Sequence, residues 1–447
     1  MRSAIETVVM TCGLTFVLAA AAAASLAAQG TPPGQPQPAG AARTLTLHEA
    51  EQRALNQHPV IKAEQYSAQA AEQTVREARS AFFPTTWGAV TAAGAATDGS
   101  RLAAGALNNP SVYDRLATGV GVSQLVTDFG RTKDLVQSSS LNAQSTEKTV
   151  DARRADVLLR VDRAYYDALR AKAVLQVARE TVATRQTVAD QVQALANANL
   201  KSGLDVSFAQ VNLSDAQLLL VQAQNDLQSA YVSLAEALGD RTATTYELVE
   251  EPQPPAPPDD SAALIAQALR DRPDVAAQRL ADQAATEFAR AEGNLQMPTI
   301  SLLGAAGVSP YHGTGILDHY SAGGVNVTIP VANGGLFNAR HAQALFHAQA
   351  EDELTRDLEN RVSRDVTVAW LAARTSYQRL DLTNQLLAHA SDALDLAQSR
   401  YNLGLSSIVE LTQAQLNKTA AEIAQSTARY EYQANVSALR YQTGELR

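Results

Sequence analysis

Two long stretches of the chain combine a helical pattern of apolar residues with the absence of the residues that interrupt helices. Residues 131–202 and 336–403 contain neither Gly nor Pro. In the first stretch, apolar or small side chains recur at alternating intervals of four and three residues, the spacing of a coiled-coil seam. These seam positions are Val157, Val161, Ala164, Ala168, Ala171, Leu175, Ala178 and Val182. The pattern predicts one very long helix, about 100 Å at ~1.5 Å per residue, that packs along one side.

The second stretch repeats the first at an offset of 205 residues. The equivalent seam positions are Val362, Val366, Ala369, Ala373, Ser376, Leu380, Thr383 and Leu387. Other landmarks pair at similar offsets, and we match Gly203 with Gly404 at an offset of 201. The sequence therefore predicts two structural repeats, residues 28–249 and 261–447, joined by an extended Pro-rich linker at residues 250–260.

Each long helix is expected to end near Gly203 or Gly404. The residues that follow, 204–238 and 405–443, again lack Pro and Gly. Two helices joined by a short turn form an antiparallel helical hairpin. We therefore predict one long hairpin in each repeat.

The segments that precede the hairpins change to an alternating pattern rich in Gly, Thr, Val and Ser. Val325, Val327 and Ile329 fall on one face of a strand, and Asn326 and Thr328 fall on the other. We predict four strands in the chain, at residues 87–94, 118–128, 299–304 and 325–329. The first two, with 8 and 11 residues, are close to the ~9–11 residues of a transmembrane strand, and we expect the same of all four.

Aromatic residues flank these predicted strands. Trp87, Phe129 and Phe337 stand at the ends next to helices, and Tyr113 and Tyr320 stand at the loop ends. Such rows are expected at the two interfaces of a membrane, although the same rings could simply seal the junctions between strands and helices. Because four strands are too few to close a barrel in lipid, several chains must contribute to one barrel.

The first 27 residues have the features of a cleaved signal peptide. Arg2 precedes an apolar stretch from Val8 to Ala24, and Ser25 and Ala27 supply the small residues before a cleavage site. We therefore predict that residues 1–27 are removed on export.

Composition and charge exclude several classes of protein. The 36 basic and 46 acidic residues give a net charge of −10, which argues against a nucleic-acid partner. Cys12 is the only cysteine, so no disulfide framework or thiolate metal site is expected. Asp128-Phe129-Gly130 matches a kinase tripeptide, but the phosphate-binding and catalytic loops of a kinase do not accompany it. We expect no enzyme activity, no cofactor and no metal.

Several motifs together resemble the TolC-like outer-membrane efflux family. They are the helices beginning at prolines that lead into strands, the segments 124–131 and 327–335 that leave them, and the hairpin signature 400–405. The resemblance implies an α+β membrane protein of the Gram-negative outer membrane. It implies a homotrimer whose twelve strands form one shared β-barrel, continued through the periplasm by an α-barrel of long hairpins. It also implies passive conduction, with a periplasmic adaptor (membrane fusion) protein and an inner-membrane pump as partners, and contact with outer-membrane lipid.

The same resemblance implies roles for residues near the hairpin turns. Gly203, Leu204, Gly404 and Leu405 match the motif at which adaptor tips dock, although the first residue of each motif departs from the family pattern. The helical turns would by themselves account for these glycines, since a residue with positive φ is favoured there.

Two further pairs of residues match the narrow entrance of the family's channel. Glu410 and Gln413 stand where two acidic residues ring the pore constriction, so one charged ring is retained and one is neutral. Tyr401 matches the tyrosine of the family's gate latch, and Ser406 stands where an arginine is expected. An ordinary solvated helix position is the alternative for Glu410.

Two interpretations of function follow. The first is the exit channel of a tripartite efflux or type I secretion system, and the client could be a small molecule or a protein. The second is a soluble periplasmic coiled-coil adaptor or scaffold, in which the Gly- and Thr-rich segments form an ordinary β domain.

Overall fold

The computed structural model describes residues 43–94, 100–101, 111–112, 115–242, 244–312 and 317–446. The predicted signal peptide, residues 1–27, and Tyr113 lie outside these ranges. Within them the helices are α1 Leu47–Gln57, α2 Pro59–Ser80, α3 Arg131–Asn197, α4 Gly203–Leu238, α5 Ala262–Asp271, α6 Pro273–Gly293, α7 Leu336–Asn402 and α8 Ile408–Thr443. The strands are β1 Arg43–Leu45, β2 Thr85–Ala93, β3 Ser100–Arg101, β4 Ser111–Val112, β5 Arg115–Thr127, β6 Tyr246–Leu248, β7 Thr299–His312 and β8 His319–Thr328.

The four long helices confirm the predicted hairpins. Helices α3 and α7 have 67 residues each, and α4 and α8 have 36 residues each. Helix α3 packs against α4, and α7 packs against α8. The predicted seam positions on α3 and α7 are all buried or half-buried. None of the described helices is long and apolar enough to cross a membrane.

The pairing of Gly203 with Gly404 is wrong. Helix α7 ends before Gly404, which has a φ of 73°, whereas α3 ends before Asn199, which has a φ of 58°. Gly203 is instead the first residue of α4 and corresponds to Ile408, the first residue of α8. A left-handed residue closes a helix, and Asn tolerates that conformation better than most residues. The offset of 205 therefore holds through the turn, with Asn in place of Gly.

The four predicted strands form one antiparallel sheet with the order β2-β5-β7-β8. The last two strands are longer than predicted, because β7 continues to His312 and β8 already begins at His319. Ile329 lies just beyond the end of β8. Strands β2 and β8 form the two edges of the sheet.

Two further strand pairs were not predicted. Strands β1 and β6 pair in parallel, and the short strands β3 and β4 pair in antiparallel fashion. Each of these strands has only two or three residues, too few for a periodic pattern. The count of four strands therefore applies to the main sheet alone.

A buried tyrosine holds the β1–β6 pair against α3. The Tyr165 hydroxyl lies 2.8 Å from the carbonyl oxygen of Leu45 and 2.7 Å from that of Val249. It also accepts a hydrogen bond from the Val249 N–H at 3.1 Å. The tyrosine ring lies in a hydrophobic cluster that includes Val161 and Leu234. One side chain thus joins the start of the first repeat to the segment that ends it.

The linker, residues 250–260, has no regular secondary structure, as expected, but it is not free. The Trp370 indole donates a hydrogen bond to the carbonyl of Pro258 at 2.8 Å, and the Tyr432 hydroxyl donates one to the carbonyl of Pro255. Because prolines lack an N–H but keep their carbonyls as acceptors, side chains of α7 and α8 can hold this segment in place.

We predict that Tyr165→Phe lowers the free energy of unfolding by about 1–2 kcal/mol, because a buried hydrogen-bonding group is lost while its partners stay buried. The matched control is Tyr66→Phe, since Tyr66 lies exposed on α2. The two variants would be compared by urea unfolding in detergent. Equal stability of both variants would contradict the role given to the hydroxyl.

Candidate functional site

The turns of the two hairpins lie together at one end of the helices. Tyr401, near the end of α7, is buried in a tip cluster with residues from all four long helices. The other members of the tip cluster are Val188, Ala189 and Val192 of α3, Ala209 and Leu213 of α4, and Ile408 and Leu411 of α8. The first and second hairpins are therefore packed against each other close to their turns.

Tyr401, the predicted latch tyrosine, makes one polar contact across the two hairpins. The Lys201 ammonium, in the turn of the first hairpin, lies 4.4 Å from the centroid of the Tyr401 ring. The Tyr401 hydroxyl is buried without a hydrogen-bond partner among the described residues. Burial, and to a smaller extent the nearby charge of Asp205, raise the pKa of this phenol. Tyr401 thus contributes a cation–π contact to the packing of the two hairpins.

Ser406, the second predicted latch residue, forms no such link. Its hydroxyl is buried and has no partner among the described residues. The neighbouring Ser407 instead caps α8 by accepting a hydrogen bond from the Glu410 N–H at 3.4 Å. Sequence reasoning missed Lys201, although the 205-residue offset places it opposite Ser406. The second turn has Ser406 where the family pattern has an arginine, and the first turn has the positively charged Lys201 at the equivalent position.

The two predicted constriction residues lie on the first turns of α8. Glu410 and Gln413 are both exposed, three residues apart on the helix. The Arg400 guanidinium of α7 lies 3.3 Å from a Glu410 carboxylate oxygen, so the acid is paired within its own hairpin. The Gln413 amide donates a hydrogen bond to Asn417 at 2.9 Å. Sequence reasoning missed the pairing of Arg400 with Glu410, because the two residues lie on different helices.

Both hairpin turns expose large apolar side chains. The predicted docking residues Leu204 and Leu405 are 66% and 68% exposed, and their glycine neighbours Gly203 and Gly404 are exposed as well. The structure adds Leu200, Leu403 and Val409 to this apolar surface. Exposed apolar groups that cluster on a surface mark interaction sites.

The register of the main sheet separates two chemically different faces. Directly paired residues of neighbouring strands share a face. One face, here called the valine face, carries Val90, Val120, Val122, Leu302, Val308, Val325 and Val327. The opposite face carries mainly small or polar residues, among them Thr85, Ala89, Gly119, Gly121, Ser301, Ala305, Asn326 and Thr328. The alternation predicted for residues 325–328 is present in β8.

Trp87 and Tyr320 do not lie on the valine face. Trp87 is paired with Gly121, and Tyr320 is paired with Gly307. Their rings cover these glycines so closely that a Cβ atom there would clash with them. Both rings therefore lie on the small, polar face, at opposite ends of the sheet. A membrane-interface row would require them on the apolar face, so the register argues against that prediction for these two residues.

Phe129 and Phe337 lie where strands give way to the long helices. Phe129 has a φ of 57° and is 52% exposed, immediately before α3. Phe337 is half-buried in the first turn of α7. Both positions are compatible with the predicted interface.

The chain is similar to known proteins over most of its length. The family model described as "Outer membrane efflux protein" matches residues 50–240 and 264–445. Outer membrane protein TolC of Escherichia coli (strain K12) is 22% identical over 403 residues, which cover 87% of this chain and 80% of that protein. Protein CyaE of Bordetella pertussis is 26% identical over 390 residues, which cover 85% of this chain and 80% of that protein.

The fold is also similar to a solved structure. The crystal structure of the Campylobacter jejuni CmeC outer membrane channel matches with a TM-score of 0.76 and 17% identity. The match covers 89% of this chain and 85% of that one. Sheet and hairpins thus belong to one known arrangement.

We predict that Lys201 and Tyr401 are energetically coupled. In a double-mutant cycle of Lys201→Gln and Tyr401→Leu, the coupling free energy should be about 0.5–1 kcal/mol, as for a partly exposed cation over a ring. The measurement is unfolding in detergent of the two single variants and the double variant.

A second cycle, with Lys172→Gln in place of Lys201→Gln, serves as the control because Lys172 is exposed on α3 away from the turn. That cycle should be additive. Additivity in both cycles would show that the cation over the ring contributes nothing to the contact between the hairpins.

Proposed function

This chain belongs to the outer membrane efflux protein family, and from that membership we propose that three copies form one conduit that conducts cargo passively. It is an outer-membrane channel for efflux or secretion systems that extends into the periplasm. This excludes the alternative of a soluble adaptor or scaffold. The family consists of transporters without enzymatic activity.

The main sheet carries the proposal of a shared barrel. Its edge strands β2 and β8 have 9 and 10 residues, close to the ~9–11 residues that cross a membrane. Successive strands alternate in direction, so β8 of one copy can pair in antiparallel fashion with β2 of the next. In lipid each unpaired main-chain group costs several kcal/mol. Three copies closing a ring of twelve strands remove both edges.

In such a barrel the valine face turns outward to the lipid and the small, polar face lines the lumen. The exposed side chains support this orientation, since Val90, Val120 and Val325 are at least 60% exposed in the single chain. Trp87 and Tyr320 then point into the lumen, one near each end. Phe129 and Phe337 remain the candidates for the interface on the helical side.

The helices support the same closure. Helix α3 packs against α4 and α8, and α8 packs against α7, so the order is α4-α3-α8-α7 and the flanks are α4 and α7. Each flank carries exposed apolar residues at intervals of seven or fourteen. They are Leu204, Val211, Leu218 and Val232 on α4, and Leu354, Val368, Leu382 and Leu396 on α7. We infer that α4 of one copy packs against α7 of the next, as coiled-coil helices do, which gives a tube of twelve helices.

The hairpin turns form the periplasmic entrance in this arrangement. Glu410 and Gln413 would line its constriction, with each Glu410 held by Arg400 of the same chain. Because the guanidinium offsets the carboxylate, this ring should attract cations less than three bare carboxylates. Tyr401 and Lys201 would keep the two hairpins together in the closed state.

The exposed leucines at the turns would receive a periplasmic adaptor. Leu204 and Leu405 were predicted for this role, and Leu200, Leu403 and Val409 extend the same surface. Conduction is passive in this proposal, so energy comes from an inner-membrane pump that the adaptor connects to the channel.

We predict opposite effects for the two partners of the entrance ion pair. In planar bilayers, Glu410→Ala should weaken block by Mg²⁺ several-fold, and Arg400→Ala should strengthen it, because the three carboxylates are then unpaired. Single-channel conductance measured against Mg²⁺ concentration tests both.

Glu353→Ala is the control, since Glu353 is exposed on α7 far from the turn. If Mg²⁺ block is the same in all three variants as in the wild type, the protein is still a conduit, but Glu410 does not line its constriction. A protein that forms no channels would contradict the conduit itself.

We also predict that Leu218→Arg disrupts the trimer. A charge in the apolar row of α4 would be buried without a partner between copies, which is strongly unfavourable. Light scattering of the detergent-solubilised protein should show monomers. Gln224→Arg, on another exposed side of α4, should leave the trimer intact. A trimer in both variants would contradict the packing of α4 against α7.

A further inference from the structure

A cavity of about 100 Å³ lies between the two hairpins, beside the tip cluster. It is lined by residues of α3, including Thr181 and Arg185, by Leu394 of α7, and by Gln415 and Thr419 of α8. The cavity therefore lies where the first and second hairpins meet.

Arg185 places an uncompensated positive charge in this cavity. Arg185 is only 4% exposed, and its Nη1 has no hydrogen-bond partner among the described residues. No described carboxylate lies within ion-pair distance, although Asp215 of α4 is near enough to attract it. Burial lowers the pKa of this guanidinium, but arginine stays protonated in proteins. A buried charge of this kind is costly unless it is paired.

Gln415 supplies a second unused donor from the opposite wall. It is also 4% exposed, and its Nε2 is buried without a partner among the described residues. The Thr181 hydroxyl donates to the Val177 carbonyl at 2.8 Å and lies 3.4 Å from the Thr419 hydroxyl. The cavity is thus lined by N–H donors and hydroxyls from both hairpins.

Glu180 and Glu422 also line the cavity, but both carboxylates are already engaged. Glu180 accepts a hydrogen bond from Gln176, and Glu422 is paired with Lys418 at 3.4 Å. Each of these contacts lies within one helix. They leave Arg185 without a neutralising partner.

We propose that this cavity binds a small inorganic anion of the halide class, held by Arg185 Nη1 and Gln415 Nε2. The volume suffices for a chloride ion with water beside it, since a single water needs roughly 10–15 Å³. Water alone could accept both hydrogen bonds, but it would not neutralise the guanidinium. Because Arg185 belongs to the first hairpin and Gln415 to the second, the bound anion stabilises the packing of α3 against α8.

The direct test is crystallography of the full-length protein grown with bromide in place of chloride. An anomalous scattering peak within hydrogen-bond distance of Arg185 Nη1 and Gln415 Nε2 is the expected result. Density without an anomalous signal would mean water alone, and a Glu180 side chain turned onto Arg185 would mean an internal ion pair. Either finding overturns the proposal.

A second test measures thermal unfolding in detergent at constant ionic strength, with chloride replaced by gluconate, which is too large for the cavity. The wild-type Tm should rise with chloride by roughly 2–4 °C and saturate, because the anion binds the folded state. Arg185→Leu should remove this dependence and unfold at a higher temperature than the wild type in gluconate, since the uncompensated charge is gone.

Arg179→Leu is the matched control, because Arg179 lies exposed six residues earlier on the same helix. It should keep the chloride dependence of the wild type. Equal chloride dependence in Arg185→Leu and the wild type, or none in the wild type, would overturn the proposal even if the Arg185 variant is less stable. Neither test depends on channel activity, so failure of the conduit and failure of the anion site can be told apart.

Discussion

The structure depends on one constraint: a single chain leaves both of its layers with open flanks. The main sheet ends in the unpaired edges of β2 and β8, and the row of long helices ends in the apolar sides of α4 and α7. An unpaired strand edge is costly in lipid, and an apolar helix flank is costly in water. Each half of the chain contributes two strands to the sheet and one hairpin to the row of helices, so both layers are built from the same two halves. One rotation that relates neighbouring copies can therefore close both layers.

The interactions that hold the hairpins together differ along their length. At the middle of α3, beside the β1–β6 pair, the Tyr165 hydroxyl and a large hydrophobic cluster fix α3 to its neighbours. The linker is held in the same region by side chains of α7 and α8. At the turns, the tip cluster is smaller, and the polar contacts between the hairpins include the Lys201 ammonium over the Tyr401 ring and a hydrogen bond from the Asn212 amide to the Thr412 hydroxyl at 3.0 Å. Contacts of these two kinds contribute about 1 kcal/mol each.

In the proposed channel, this gradient determines where the two hairpins can separate most easily. Separation of the two hairpins at the turns breaks few strong interactions, whereas separation beside the β1–β6 pair exposes a deep core. The buried hydroxyls of Tyr401 and Ser406 have no partners among the described residues, so they add no hydrogen bond to the closed arrangement. The proposed anion between Arg185 and Gln415 would strengthen the packing just above the turns, and the solution composition would then influence how firmly the hairpins hold together.

The sequence by itself determined the long helices, the hairpins and the main sheet, because helix length follows from uninterrupted runs without Gly or Pro and strand faces follow from a period of two. The sequence also identified Gly404 as the residue that follows the end of α7. It did not identify Asn199, which has the same role after α3, because a residue with positive φ need not be glycine. Only the tertiary structure decided which side chains meet across elements: Lys201 on Tyr401, Arg400 on Glu410, and Trp87 over Gly121. These contacts depend on strand register and helix packing, and no local pattern contains that information.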